Sequence, residues 1–362
     1  MVDWKNPPRL FIPGPVKVDE EVLQQLARPT LGHRGKEYAQ LHGQTVDMLK
    51  KIFFTEQNIF LSTSSASGIW EAAIRNCVGL DETVLCTCCG AFSDKWADVA
   101  KSCGRNVEEL KVDWGKPILS EMVDEKLAAG KYAAVTLVYN ETSTGLTNPV
   151  YEISRMMKEK YPDVLVFVDA VSAMVGLPLH FDELAWDVTF ASVQKAFAIP
   201  PGLAVAVVSN RALEKSRNVP NRGYYFDFQQ FAKNAQKSQT PATPNIPHIM
   251  ALNYQCEKLL TEGMDNVWQR HKRMGDFVRA WAKEKFDLFC EQEYASNTLT
   301  AVKNTRGINV AETINAIQEK HNTIFGNGYG KLKEQTFRIA HMGDITLDDL
   351  KELLAWIDDE ID

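Results

Sequence analysis

Apolar residues recur along this chain in two spacings that take turns. Short apolar runs at residues 58–62, 83–87, 107–112, 133–138 and 164–168 predict strands. Between them, apolar positions three and four apart predict helices over 67–78, 93–103, 120–129 and 150–160. Two more helices are predicted ahead of the first strand, over 19–26 and 37–53. The run 164–168 is apolar without interruption, the mark of a strand covered on both faces. Strands alternating with helices predict a mostly parallel sheet with helices on both sides.

After Asp187 the pattern changes. Apolar runs at 188–192 and 203–208 flank a loop with Pro200-Pro201-Gly202, which predicts a hairpin within or at the edge of the large sheet. Residues 221–245 are aromatic and polar with scattered prolines and predict a long functional loop. Helices are expected over 248–262 and 267–284, then short strands with helices at 310–320 and 346–359. The expected organisation is an extended, Pro-rich arm (1–20), a large α/β domain (21–250) and a smaller α+β domain (251–362).

Composition narrows the function classes. Hydrophobic residues make up 45% of the 362, enough for a sizeable core. The formal charge of −7 argues against a nucleic-acid binder. No apolar run approaches the roughly 18 residues of a membrane span, and the N-terminus lacks the apolar core of a secretory leader. A cytoplasmic protein is expected. Seven cysteines, an odd number without an export signal, suggest free thiols. Cys86, Cys88 and Cys89 have no second cluster at zinc-ligand spacing, so they read as part of a buried strand.

Ligands of parallel α/β sheets sit at the carboxyl ends of the strands. After the first strand comes Ser62-Thr63-Ser64-Ser65-Ala66-Ser67-Gly68, opening a helix. That is either a phosphate cradle or an ordinary Ser N-cap. It is not Gly-x-Gly-x-x-Gly, which argues against a nicotinamide dinucleotide site. Asp169 ends the fully apolar strand, and a carboxylate there needs a cationic partner or a helix to cap. Lys195 ends the run 188–192; burial lowers a lysine's pKa toward the neutral amine that attacks an aldehyde, although a salt-bridged lysine fits equally. Together, an anion site, a strand-end carboxylate and a strand-end amine match the phosphate, pyridine nitrogen and aldehyde of pyridoxal 5′-phosphate (PLP).

With Phe167-Val168-Asp169-Ala170-Val171-Ser172-Ala173, Ser192-Val193-Gln194-Lys195-Ala196 and Pro200-Pro201-Gly202 in view, the chain resembles the class V aminotransferases, near the alanine–glyoxylate and serine–pyruvate enzymes. The likeness runs from Pro13-Gly14-Pro15 to Arg338-Ile339-Ala340-His341-Met342-Gly343. It implies PLP fold type I, with a mostly parallel seven-stranded sheet and a smaller α+β C-terminal domain. It implies that Lys195 carries PLP as a Schiff base and shuttles a proton, while Asp169 holds the pyridinium nitrogen. Val171 and Phe92 would cover the two ring faces, Phe92 standing where relatives often have Trp or Tyr. Ser65, Ala66, Ser67 and Gln194 would lie at the phosphate. Thr142 or Ser143 would reach the ring hydroxyl, with Thr142 preferred. Arg338 would grip the substrate carboxylate, and Gly14 would line the substrate pocket.

The resemblance also implies a homodimer whose loop 237–243 reaches the neighbour's cofactor through Thr240 and Lys237, the latter where relatives commonly have Tyr. The implied reaction moves an amino group from a small L-amino acid to glyoxylate or pyruvate. An aminoethylphosphonate-type transaminase, or another class V lyase or desulfurase, is the alternative; no cysteine between Cys290 and Arg338 could accept sulfur. Arg34 is either a second anion contact or a helix-start residue.

Overall fold

The computed structural model describes residues 6–361; the first five residues of the expected N-terminal arm lie outside the described residues. In chain order the strands are β1 (Arg9–Phe11), β2 (Asn58–Ser62), β3 (Thr83–Cys88), β4 (Asn106–Lys111), β5 (Ala134–Val138), β6 (Asn140–Glu141), β7 (Leu146–Thr147), β8 (Leu165–Asp169), β9 (Val188–Ser192), β10 (Ala204–Val208), β11 (Asp287–Leu288), β12 (Leu299–Lys303), β13 (Thr323–Asn327) and β14 (Thr336–Ala340). The helices are α1 (Glu20–Leu26), α2 (Lys36–Phe53), α3 (Ala66–Cys77), α4 (Ala91–Ser102), α5 (Ser120–Ala129), α6 (Val150–Lys160), α7 (Asn210–Asn218), α8 (Phe228–Ala235), α9 (Ile246–Glu262), α10 (Met264–Lys285), α11 (Val310–His321) and α12 (Leu347–Ile361).

Seven strands form one sheet in the order β2-β10-β9-β8-β5-β3-β4. Successive strand residues point to opposite faces, and the two faces carry separate cores. Val166, Val168, Val205 and Val207 pack with residues of α2, α6 and α9 on one side. Phe167, Phe190, Ala206 and Cys86 pack with α3, α4 and α8 on the other. Both cores need apolar side chains from the same strands, which is why β5, β8, β9 and β10 are buried throughout. Each fully buried Phe contributes about 1.5–3 kcal/mol by leaving water. The edge strand β4 is polar instead, and Glu109 on it pairs with Lys101 and Lys111. Charges of this kind discourage another chain from adding to the edge.

The hairpin β9–β10 lies inside the sheet rather than on its edge. β10 runs antiparallel to both β9 and β2, so β2 closes the edge beyond it. The segment expected as one long loop contains a helix, α8. Asp227 caps it by accepting from the Gln229 amide at 2.9 Å, and Phe228 and Phe231 pack on Phe60 of β2.

A second sheet has the order β1-β13-β14-β12-β11. Its core includes residues of α10, α11 and α12. β1, from the N-terminal arm, pairs in parallel with β13 in the register Arg9↔Thr323. No helix of the described residues is long and apolar enough to cross a membrane.

Candidate active site

Five strands of the large sheet deliver side chains to one cavity at their carboxyl ends. Past β2, the N-terminus of α3 brings Ser65, Ala66 and Ser67; past β3, the start of α4 brings Phe92. Val138 and the turn after β5 bring Asn140 and Thr142. Asp169 and Val171 come from the end of β8, and Gln194 and Lys195 from the end of β9. Ser65, Ala66, Ser67, Phe92, Thr142, Asp169, Val171, Gln194 and Lys195 therefore share one cavity of about 140 Å³. Ser65 is the N-cap residue of α3, yet its side chain makes no capping hydrogen bond. The Ala66 amide donates to Ser192 Oγ at 2.7 Å, which ties the α3 N-terminus to the end of β9.

Asp169 is buried at the cavity floor and accepts two hydrogen bonds. The Val171 amide donates to Oδ1 at 2.8 Å and Trp70 Nε1 donates to Oδ2 at 2.7 Å. Burial outweighs both donors and raises its pKa to about 7. Lys195 Nζ donates to the Pro13 carbonyl. Burial, then the charge of Arg338, lowers its pKa to about 8, with Asp169 opposing. Gly14 packs so closely that an added Cβ would stand 2.6–2.9 Å from Lys195 Cδ, Nζ and Cε, and its φ of +97° already favours glycine. The N-terminal arm thus forms a wall of the lysine's site.

Arg338 comes from β14 of the second sheet. Its Nε donates to the Asn327 carbonyl at 3.0 Å, and its guanidinium carbon lies 5.4 Å from the centre of the Tyr329 ring. Burial lowers its pKa to about 10, with Tyr329 and Glu141 opposing; it stays a cation at neutral pH.

The family model described as aminotransferase class V matches residues 19–320. The L-aspartate–glyoxylate aminotransferase of Paracoccus denitrificans is 31% identical over 94% of this chain and 87% of its own length. The serine–glyoxylate aminotransferase of Methylorubrum extorquens is 32% identical over 93% of this chain and 86% of its own. This chain belongs to the class V aminotransferases. Among solved structures, the alanine–glyoxylate aminotransferase of a Nostoc species superposes with a TM-score of 0.93 at 25% identity, covering 100% of this chain and 96% of that one. The fold is PLP fold type I.

The aminotransferase places its two hydroxyl candidates differently. Thr142 Oγ1 faces the cavity and shares a hydrogen bond of 2.8 Å with Ser172 Oγ. Ser143 Oγ turns away, donating to Glu141 Oε1 at 2.6 Å and accepting from the Ala91 amide at 3.0 Å. Lys237 and Thr240 do not line the cavity of their own chain: Lys237 is exposed, and Thr240 Oγ1 donates to the Ala242 carbonyl at 2.7 Å. Arg34 does not line that cavity. Its guanidinium donates to Gln239 Oε1 and to the carbonyls of Thr240 and Pro241, and so holds that loop.

Three residues of the aminotransferase site escaped the sequence reading. Trp70 lay within the expected helix 67–78 with no role given to it, although it follows the Ser-rich turn on the same face as Ala66 and Ala73. Glu141 is fully buried and accepts from the Phe92, Ser93 and Ser143 amides at 3.0–3.3 Å, so it anchors the N-terminus of α4 and with it Phe92. Its carboxylate sits where a side chain on Gly90 would collide with it. Tyr329 stands with its ring centre 5.1 Å from that of Phe92.

Proposed function

We propose that the chain is a PLP-dependent aminotransferase that moves the amino group of a small L-amino acid, of the alanine or serine type, to glyoxylate or pyruvate by ping-pong chemistry. The observation that carries this reading is the pairing of a buried carboxylate with an amine of lowered pKa in one cavity. Burial raises the pKa of Asp169 although the Val171 amide and Trp70 both donate to it, so a cation beside it would favour its ionised form. A protonated ring nitrogen supplies the missing charge, so the residues present fit the cofactor. The uncommitted Ser65 hydroxyl and the α3 N-terminus suit a phosphate. When bound there, PLP supplies an aldehyde to hold the amino group and a ring to withdraw the electron pair from the α-carbon.

The remaining work falls to the chain. Asp169 keeps the ring nitrogen protonated. Val171 and Phe92 would pack against the ring, and Glu141 keeps Phe92 in place. Lys195, with a pKa lowered to about 8, would hold the cofactor's aldehyde and would carry the proton of the substrate α-carbon on Nζ. Arg338 has one guanidinium edge on the Asn327 carbonyl, which leaves the other for a two-pronged grip on the substrate carboxylate. Gly14 and the Pro13 carbonyl hold the amine in position. Glyoxylate as acceptor rests on the names of the relatives, which share it while their donors differ.

We further infer a homodimer in which loop 237–243 of each copy, through Lys237 and Thr240, approaches the phosphate of the other. The exposure of Lys237 and of Tyr224, 76% open, supports a surface that pairs. Seven unpaired cysteines support a reducing, cytoplasmic setting. The test is one spectrum. PLP-supplemented protein should absorb in the near-visible region, lose that band with L-alanine or L-serine and regain it with glyoxylate, and Lys195→Ala should lack it. Absence of the band in the wild-type protein overturns the reading.

A further inference from the structure

The tip between β13 and β14 crosses from the second sheet onto the large domain at the mouth of the cavity. It is held shut at its base, where the Gly328 amide donates to the Thr336 carbonyl and Glu334 braces Asn327 through its own amide and side chain. Two aromatic contacts make the crossing. Lys331 Nζ sits 4.1 Å over the Trp114 ring, and Trp114 Nε1 donates to Asp94 of α4 at 3.0 Å. Two residues earlier on the same helix, Phe92 meets the Tyr329 ring at 5.1 Å and 34°. The face of Tyr329 also lies over the Arg338 guanidinium. Tyr329 is 37% exposed: it packs on Phe92, which lines the cavity, and on Arg338, while the rest of the ring meets solvent.

We propose that Tyr329 is a specificity-determining residue of the amino-donor site: its ring is the outer wall where a donor side chain leaves the cavity, and its face steadies the Arg338 guanidinium that takes the donor carboxylate. This rests on the proposed transamination and names the residue that limits the donor to a short side chain. A side chain longer than that of alanine or serine must displace a ring that is held on one side by Phe92 and on the other by Arg338.

The test compares kcat/KM for L-alanine and L-leucine in the PLP-loaded wild-type protein, Tyr329→Ala and Tyr329→Phe. Removing the wall should raise the leucine-to-alanine ratio at least about tenfold, the discrimination a hydrophobic wall supplies for a few carbons. It should also raise KM for L-alanine about fivefold with a smaller change in kcat, as expected for losing one cation–π contact. Binding of propionate, a carboxylate without an amino group, measured by calorimetry, should weaken by a similar factor. Tyr329→Phe keeps the ring and should restore both the ratio and the propionate affinity. A ratio unchanged in Tyr329→Ala, or a uniform loss of kcat for both donors, overturns the proposal. Should Tyr329→Ala not fold, Tyr329→Leu makes the same comparison with an apolar side chain of intermediate size. A wild-type protein that transaminates no donor brings down the proposed function and this inference with it, whereas an active wild type with an unaltered variant brings down this inference alone.

Discussion

Replacing Trp70 by Phe removes one atom pair from the floor of the site and leaves most of the ring. Trp70 Nε1 donates to Asp169 Oδ2 at 2.7 Å, and only the Val171 amide would then remain on that carboxylate. A hydrogen bond to a charged group contributes about 1.5–3 kcal/mol, or about one to two pKa units. The donor favours the ionised form, so its loss raises the Asp169 pKa, from about 7 to between about 8 and 9. Because a cationic ring nitrogen binds the ionised carboxylate, fewer molecules are competent at neutral pH. At pH 7.5 the ionised fraction falls by about three- to twenty-fivefold, and by pH 9.5 the two proteins differ by less than about a factor of two. The assay is titration of cofactor-free protein with PLP across pH 6.5–9.5, followed by absorbance. Trp70 also stacks on Trp96 at 6.2 Å, so thermal unfolding of both proteins should be recorded alongside. An affinity deficit that is the same at every pH, or none at all, refutes the assignment of Trp70 as the donor that tunes Asp169.

Three further outcomes follow from the geometry. Arg338→Lys replaces a planar fork with a point charge, and steady-state kinetics should show KM for the amino donor raised about tenfold or more, with kcat less affected. Gly14→Ala puts a side chain at φ +97° against Lys195, so kcat/KM should fall by more than the backbone strain of about 1–2 kcal/mol lowers stability in a denaturant melt. The rate at which cofactor-free protein takes up PLP should climb about tenfold per pH unit up to pH 8 and then level, because Lys195 must be neutral to react. Asp169 ionises over the lower part of that range and acts in the same direction; a rate independent of pH between 6 and 8 contradicts the lowered lysine pKa.

The strands were legible because burial on both faces leaves no room for polar positions, and β8 and β10 are apolar along nearly their whole length. Strand order was not, because nothing local in Ala204–Val208 says that β2 lies beyond it. α8 escaped because its apolar face is only Phe228, Phe231, Ala232 and Ala235, set among Gln, Asn and Lys and flanked by prolines. In the site, Asp169 and Lys195 stood out as charges at the ends of apolar runs, a conflict that demands a reason. Trp70, Glu141 and Tyr329 carry no such conflict. A tryptophan in a helix, a glutamate in a polar turn and a tyrosine between glycines are ordinary until the fold brings α3 to β8, the 140–144 turn to α4 and the β13–β14 tip to Phe92.

The pairing of β1 with β13 has a consequence for how the protein is made. Ribosomes release chain at about 5–20 residues per second, and earlier segments fold first. The large sheet can assemble once β10 has emerged. The strand that anchors the arm, however, finds its partner only when Thr323–Asn327 is synthesised. The β1 anchor of Pro13 and Gly14, which surround the amine of Lys195, is therefore completed only after every strand of the large sheet has emerged. A chain that stops short of β13 contains every strand of the large sheet and still lacks the β1 anchor of the backbone that positions its reactive lysine. Completion of the lysine's surroundings is thus a late event in biogenesis, tied to the arrival of the second sheet.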